Sequence, residues 1–272
     1  MSFPNIVQLK SSDVKSTYTS KGFPLGTMGR TGDGKVYAYA LAGEALSVGI
    51  PLNSMAKGGL DASGLTVINN STEDLTSTSR QIVLSTTNST WGALKDEYAD
   101  GILVIEGSTH SNAAGQAVSV KSNTAGSTST TDSPLTTTVV FKDDDLLTYG
   151  IDTGPTIQVV HNEYFDVIEH DGGATTLPIV GIPNVAVADN AYFWAQTWGP
   201  CPVLNDGTTV YGEPVQGSTQ SDQGVQPLTK GNATGMTDLS YASAVKGTIG
   251  WQLGPSPGDG DYGLVFLTIR PS

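Results

Sequence analysis

Short runs of β-branched and apolar residues, each closed by Gly, Pro, Asn or Ser, recur along this chain and point to an all-β fold. Thr136-Thr137-Thr138-Val139-Val140-Phe141 is the plainest of them. Branching at Cβ stiffens such side chains in a helix and suits the pleated surface of a sheet. The run Lys35–Leu41 reads as a strand, Gly43-Glu44 as a turn, and Ala45–Ile50 as the returning strand closed by Pro51. Further strands are expected at Leu65–Ile68, Gln81–Leu84, Ile102–Ile105 and Ala117–Val120. Lys246–Leu253 and Tyr262–Ile269 form two more around the loop Gly258–Asp261, the last apolar enough to be buried on both faces. Only Thr90–Asp100 has helical character, enough for one or two turns.

The composition agrees with this pattern. Charged residues make up 14%, against about 25% in ordinary soluble domains. Their place is taken by Ser, Thr, Asn, 33 Gly and 14 Pro, which supply the turns that many short strands require. The 13 basic residues stand against 26 acidic ones, for a net charge of −13. Phosphate backbones and anionic membrane surfaces repel such a chain, so neither nucleic acid nor membrane is expected as a partner. No apolar run is long enough for a membrane-spanning helix. Met1–Asn5 lacks the basic and apolar regions of a signal peptide, so synthesis inside a cell is expected. The single cysteine, Cys201, allows neither an intrachain disulfide nor a cysteine-built zinc site.

Three passages carry residues able to do chemistry. His161–Asp171 holds two histidines and four carboxylates but no His-Glu-x-x-His spacing, so a solvated strand and turn outweighs a metal site. Asp143-Asp144-Asp145 lacks the alternation of a calcium loop and reads as a charged turn. Cys201, between Pro200 and Pro202, reads as a buried and unreactive thiol. No Gly-x-Ser-x-Gly elbow and no phosphate-cradling Gly-rich loop occurs. A pair of catalytic carboxylates assembled in space stays open, with nothing pointing to one pair. The expectation is a non-enzyme with no catalytic residue, no metal and no cofactor.

The most distinctive stretch is Ala191–Pro200. As a strand it sets Tyr192, Trp194, Gln196 and Trp198 on one face and Phe193, Ala195 and Thr197 on the other. Such a stripe serves as core, as subunit interface or as a sugar-stacking platform. The expected organisation is an extended N-terminal arm (1–34), a β-rich domain with long loops (35–182) and a C-terminal β-barrel or sandwich domain (183–272). Residues 35–50 can also belong with the last, which makes 51–182 an insertion. The arm carries Phe3, Ile6, Val7, Phe23 and Leu25, scattered apolar residues that a linker does not need. It is expected to order on a neighbour, and its removal to leave a soluble fold.

Lys35–Ile50 (KVYAYALAGEALSVGI), Asn190–Leu204 (NAYFWAQTWGPCPVL) and Asp206–Val215 (DGTTVYGEPV) resemble passages of the capsid decoration, or cement, proteins of tailed bacteriophages. The resemblance implies a virion structural protein made in the host cytoplasm. It implies docking on the outer surface of the phage head and bridging of major capsid protein subunits. Its partners are then the major capsid protein and itself, as a homotrimer at a local threefold. The interface residues expected are Phe3, Ile6, Val7, Phe23, Leu25, Tyr192, Trp194 and Trp198. The alternatives are a head-fibre or receptor-binding protein contacting host glycans through the aromatic stripe, and a polysaccharide-degrading enzyme.

Overall fold

The computed structural model describes residues 6–54, 65–67, 79–86, 94–107, 114–126, 135–150, 156–172, 177–219, 223–228, 248–255 and 257–269. In chain order the strands are β1 (Val7–Leu9), β2 (Met28–Thr31), β3 (Val36–Leu41), β4 (Leu52–Asn53), β5 (Leu65–Val67), β6 (Gln81–Thr86), β7 (Ile102–Gly107), β8 (Ala117–Asn123), β9 (Leu135–Phe141) and β10 (Thr156–Val160). They continue with β11 (Ile168–Glu169), β12 (Ile179–Pro183), β13 (Tyr192–Leu204), β14 (Pro214–Gly217), β15 (Val225–Pro227), β16 (Thr248–Gln252) and β17 (Tyr262–Thr268). A 3-10 turn at Asp13–Lys15 is the one helical element among the described residues. The fold is all-β.

The chain forms two compact units, Met1–Met55 with Glu163–Ser272, and Ala56–Asn162. The second unit is a closed barrel in the order β10-β5-β6-β9-β8-β7. Alternate residues of its strands point inward, so Ile82, Leu84, Leu103, Ile105, Val118, Val120, Val139, Phe141, Ile157 and Val159 share one core with Tyr98 and Leu147. Closure removes exposed strand edges, which suits strands this rich in Thr and Val. The helix expected over Thr90–Asp100 is a succession of turns from Lys95 to Asp100. Thr90–Ala93 lies outside the described residues, as does most of the Ser/Thr-rich stretch 122–133. Asp96 and Asp100 both have positive φ, which an α-helix does not admit.

The first unit is an open sheet with the path β1-β2-β3-β13-β17-β16-β14-β15, to which β12, β4 and β11 attach. β13 is its axis, pairing with β3 over Tyr192–Trp198 and with β17 over Trp198–Leu204. Among its described residues the region 183–272 therefore closes no barrel of its own: its strands extend a sheet that begins near the N-terminus. Unit boundaries fall at 55/56 and 162/163, where the expected ones were 34/35 and 182/183, because β4 pairs with β11 and β12 and thereby ties residues 52–53 to the returning chain.

Residues 6–34 form no loose arm. β1 runs parallel to β2, and β2 pairs antiparallel with β3. Leu9, Val14 and Leu25 are buried in the same core as Tyr39, Phe193 and Trp194. A parallel pair needs a crossover of a dozen or more residues, which the 3-10 turn and the loop before β2 provide. Gly29 matters here: a Cβ on it would run into the Leu9 side chain and come within 2.9 Å of Trp194 Cζ3. Ala45–Ile50 is a loop instead of a strand, held by the Leu46–Val187 bridge and by Gly49, which donates to the Pro183 carbonyl and accepts from the Leu204 N–H. Val210–Glu213 is a turn ahead of β14.

Candidate functional site

The residues expected at an interface divide between core and surface. Phe3 lies outside the described residues. Ile6 is 42% exposed just ahead of β1, and Val7 is half-buried against the core. Leu25 is buried. The Phe23 ring lies 5.4 Å from those of Tyr39 and Trp194, and Tyr192 stacks on Tyr39 at 5.8 Å with 7° between the planes. Trp194 is 2% exposed, which makes it the centre of an aromatic core cluster and denies its face to any sugar. The alternation breaks at a bulge between Gln196 and Trp198. Thr197 is fully buried there, and Trp198 turns to the opposite side of the sheet from the core.

That outer side is built by four neighbouring strands. Register places Trp198 beside Thr268, Pro200 beside Phe266, Pro202 beside Leu264 and Leu204 beside Tyr262. Phe266 in turn pairs with Trp251, and Trp251 with Pro214. The result is a cross-strand row, Pro200, Phe266, Trp251, Pro214. Trp251 is 47% exposed, Leu264 44% and Tyr262 53%, so this face meets solvent with large apolar side chains. Trp198 and Phe266 meet edge to face at 5.4 Å. No Asp, Glu, Lys, Arg or His occupies any of these ten outward positions.

Local sequence explains the geometry. Proline has no N–H, yet β13 tolerates Pro200 and Pro202 because its ladder partner beyond Trp198 lies on one side only, along β17. Gly250 sits where a Cβ would collide with the Phe266 carbonyl oxygen, at a bulge between β14 and β16 that aims Trp251 outward. The inward face holds Cys201, Val203, Val215, Ile249, Val265 and Leu267. β17 is therefore buried on one face only, contrary to the expectation for its fully apolar sequence. No family model, curated protein or solved structure matches this chain.

The candidate chemical residues serve structure. The segment 161–171 is split, with His161 in the barrel unit and His170 in the sheet unit. The buried His170 ring meets Asn53 Nδ2 through Nδ1 at 3.2 Å and the Ser218 carbonyl through Nε2 at 2.7 Å, linking β4 to the end of β14. Asp143 pairs with Lys121 at 2.9 Å and with Arg80 at 3.8 Å, and its carboxyl is held below the usual range by its hydrogen bond to Lys121. Asp145 accepts the Ser119 N–H at 2.7 Å. Among the described residues no three of His, Cys, Asp and Glu converge as metal ligands, and no helix is long and apolar enough to cross a membrane.

Asn184 donates to the Gln196 amide oxygen at 2.9 Å and to the Tyr37 hydroxyl at 3.3 Å. Burial lifts the Tyr37 hydroxyl above its ordinary value and pushes the Cys201 thiol up to about 12. A thiol so far above neutral carries almost no thiolate, the form that reacts. Alkylation of Cys201 at pH 8 is expected to run on the order of 1,000-fold slower in the native protein than in denaturant. Equal labelling of the two by mass spectrometry would show the thiol to be accessible and reactive.

Of the ten positions of this face, sequence reasoning named only Trp198 and missed Pro200, Pro202, Leu204, Pro214, Trp251, Tyr262, Leu264, Phe266 and Thr268. A partial signal exists in the two prolines of equal parity and in a tryptophan flanked by Gly250 and Gln252. The pairing that unites them is invisible in one dimension.

Proposed function

We propose that this chain is a virion structural protein, a decoration or cement protein that docks on the outer surface of a phage head and stabilises it by bridging major capsid subunits. The observation that carries this reading is the uncharged, aromatic outer face of β13, β17, β16 and β14 on a chain of net charge −13. Interface cores are depleted of charge and enriched in Trp, Tyr and Phe, and an exposed apolar patch of this kind marks a protein-docking surface. The sequence resemblance in 35–50, 190–204 and 206–215 supplies the kind of assembly. Acidic charge elsewhere keeps free subunits soluble and away from packaged nucleic acid. On a repeating shell a weak contact is multiplied by avidity. Its partners in this reading are the major capsid protein and further copies of itself.

Heads assembled with and without the gene test the proposal. Those lacking it are expected to rupture at lower temperature or on dilution into low salt, and added purified protein to restore resistance. Equal resistance of the two preparations would defeat it. Binding of the isolated protein to a glycan array would instead support a receptor-contacting head fibre.

A further inference from the structure

The outer face has a feature that a surface made only for an unrelated partner does not require. Read across the strands, the row runs Pro200 on β13, Phe266 on β17, Trp251 on β16 and Pro214 on β14. An aromatic pair is bracketed by proline on both sides, so the row reads nearly the same in both directions. We propose that this face docks on the same face of a second copy, about a twofold axis running along the strands between β17 and β16. This rests on the reading of the face as a docking surface and assigns it to the contact between copies of the assembled protein, which leaves the contact with capsid subunits to other surfaces of the pair.

Under that operation Phe266 of one copy lies over the partner's Trp251, and Pro200 over the partner's Pro214. Each contact occurs twice, as an isologous interface demands. Two sheets meeting this way pack face to face about 10 Å apart, with strand directions within about 30°. The half-exposed rings of Trp198 and Phe266, already edge to face, give the interdigitating relief that such packing needs.

Charge permits the same partner. Two copies of net charge −13 repel each other, and charged side chains on facing sheets would hold them apart. The ten outward positions carry none, so two copies meet here without opposing like charges. Area agrees as well. Segments of seven residues on β13 and β17, five on β16 and four on β14, at about 3.4 Å per residue and about 4.8 Å between strands, give a face on the order of 375 Å². Two such faces come to on the order of 750 Å² before side-chain relief, a size that suits a weak, transient pair. A pair of that size dissociates reversibly, with a Kd on the order of 1–100 µM.

Sedimentation velocity on the full chain, over a concentration series spanning that range, provides the test. The expected result is a reversible shift from the 28.2 kDa monomer to twice that mass. Trp251→Asp and, independently, Leu264→Lys should weaken the pair by at least about 30-fold. Both side chains are exposed, and far-UV circular dichroism verifies that each variant is folded. Ile6→Asp, exposed just ahead of β1 at the far end of the sheet path, should leave association unchanged. A monomer throughout, a threefold mass, or a pair that survives both face substitutions would overturn the proposal. Head binding measured in parallel separates the two readings. A monomer that still protects heads defeats the pair alone, and a pair that leaves heads unprotected defeats the cement role alone.

Discussion

Deletion of residues 1–34 is expected to abolish soluble folding of the sheet unit. The deletion removes β1 and β2, leaving the edge of β3 without its ladder. It also removes the buried side chains of Leu9, Val14 and Leu25, and the Phe23 ring that covers Trp194. Full burial of a large aliphatic side chain stabilises by about 1.5–3 kcal/mol, so these three alone contribute roughly 5–9 kcal/mol. A domain's whole stability is only about 5–15 kcal/mol. The truncated chain should therefore appear in inclusion bodies, or in solution without the cooperative thermal transition of the intact protein. A soluble truncated protein melting at the same temperature would mean that the segment adds nothing to the core.

Trp194→Ala should cost about 3–5 kcal/mol, the range for deleting a large aromatic from a packed interior. Three rings lean on or near this indole: Tyr39 at 5.0 Å, Phe23 at 5.4 Å and, through Tyr39, the stacked Tyr192. Gly29 exists as glycine because Trp194 and Leu9 fill the space its side chain would take. The cavity left by alanine is lined by strands that pair on both sides, so collapse can recover little. Urea denaturation should show a midpoint well below that of Trp198→Ala, whose side chain is half-exposed and cheaper to lose. Similar midpoints for the two variants would contradict the assignment of Trp194 to the core.

Particular elements show where sequence reasoning reached and where it stopped. β3, β9 and β13 were legible because dense β-branched and aromatic runs have one good home, a pleated surface. β1 and β2 were not, because Val7–Leu9 and Met28–Thr31 are short and mixed, and owe their extended form to β3 beside them. Ala45–Ile50 is apolar enough for a strand, yet it makes only a bridge at Leu46 and isolated backbone bonds from Gly49 to Pro183 and Leu204, because the positive φ of Gly49 interrupts extended pairing. In β13 parity put Trp194 and Trp198 on one face, and the bulge at Thr197 separated them. The interface residues expected on the N-terminal segment include Leu25 in the core, while Trp251 and Phe266 of the outer face went unnoticed.

Local chemistry by itself determined the all-β class, the acidic character and the buried cysteine between two prolines. These follow from side-chain branching, charge count and the surroundings of one thiol. Tertiary structure alone decided that 56–162 closes on itself, that the first strands join the last ones, and which apolar face meets water. A strand's alternation says which residues point the same way, but not which side will be covered. Coverage depends on hydrogen-bonded partners such as β3 and β13, which lie more than half the chain apart and meet only when the sheet assembles.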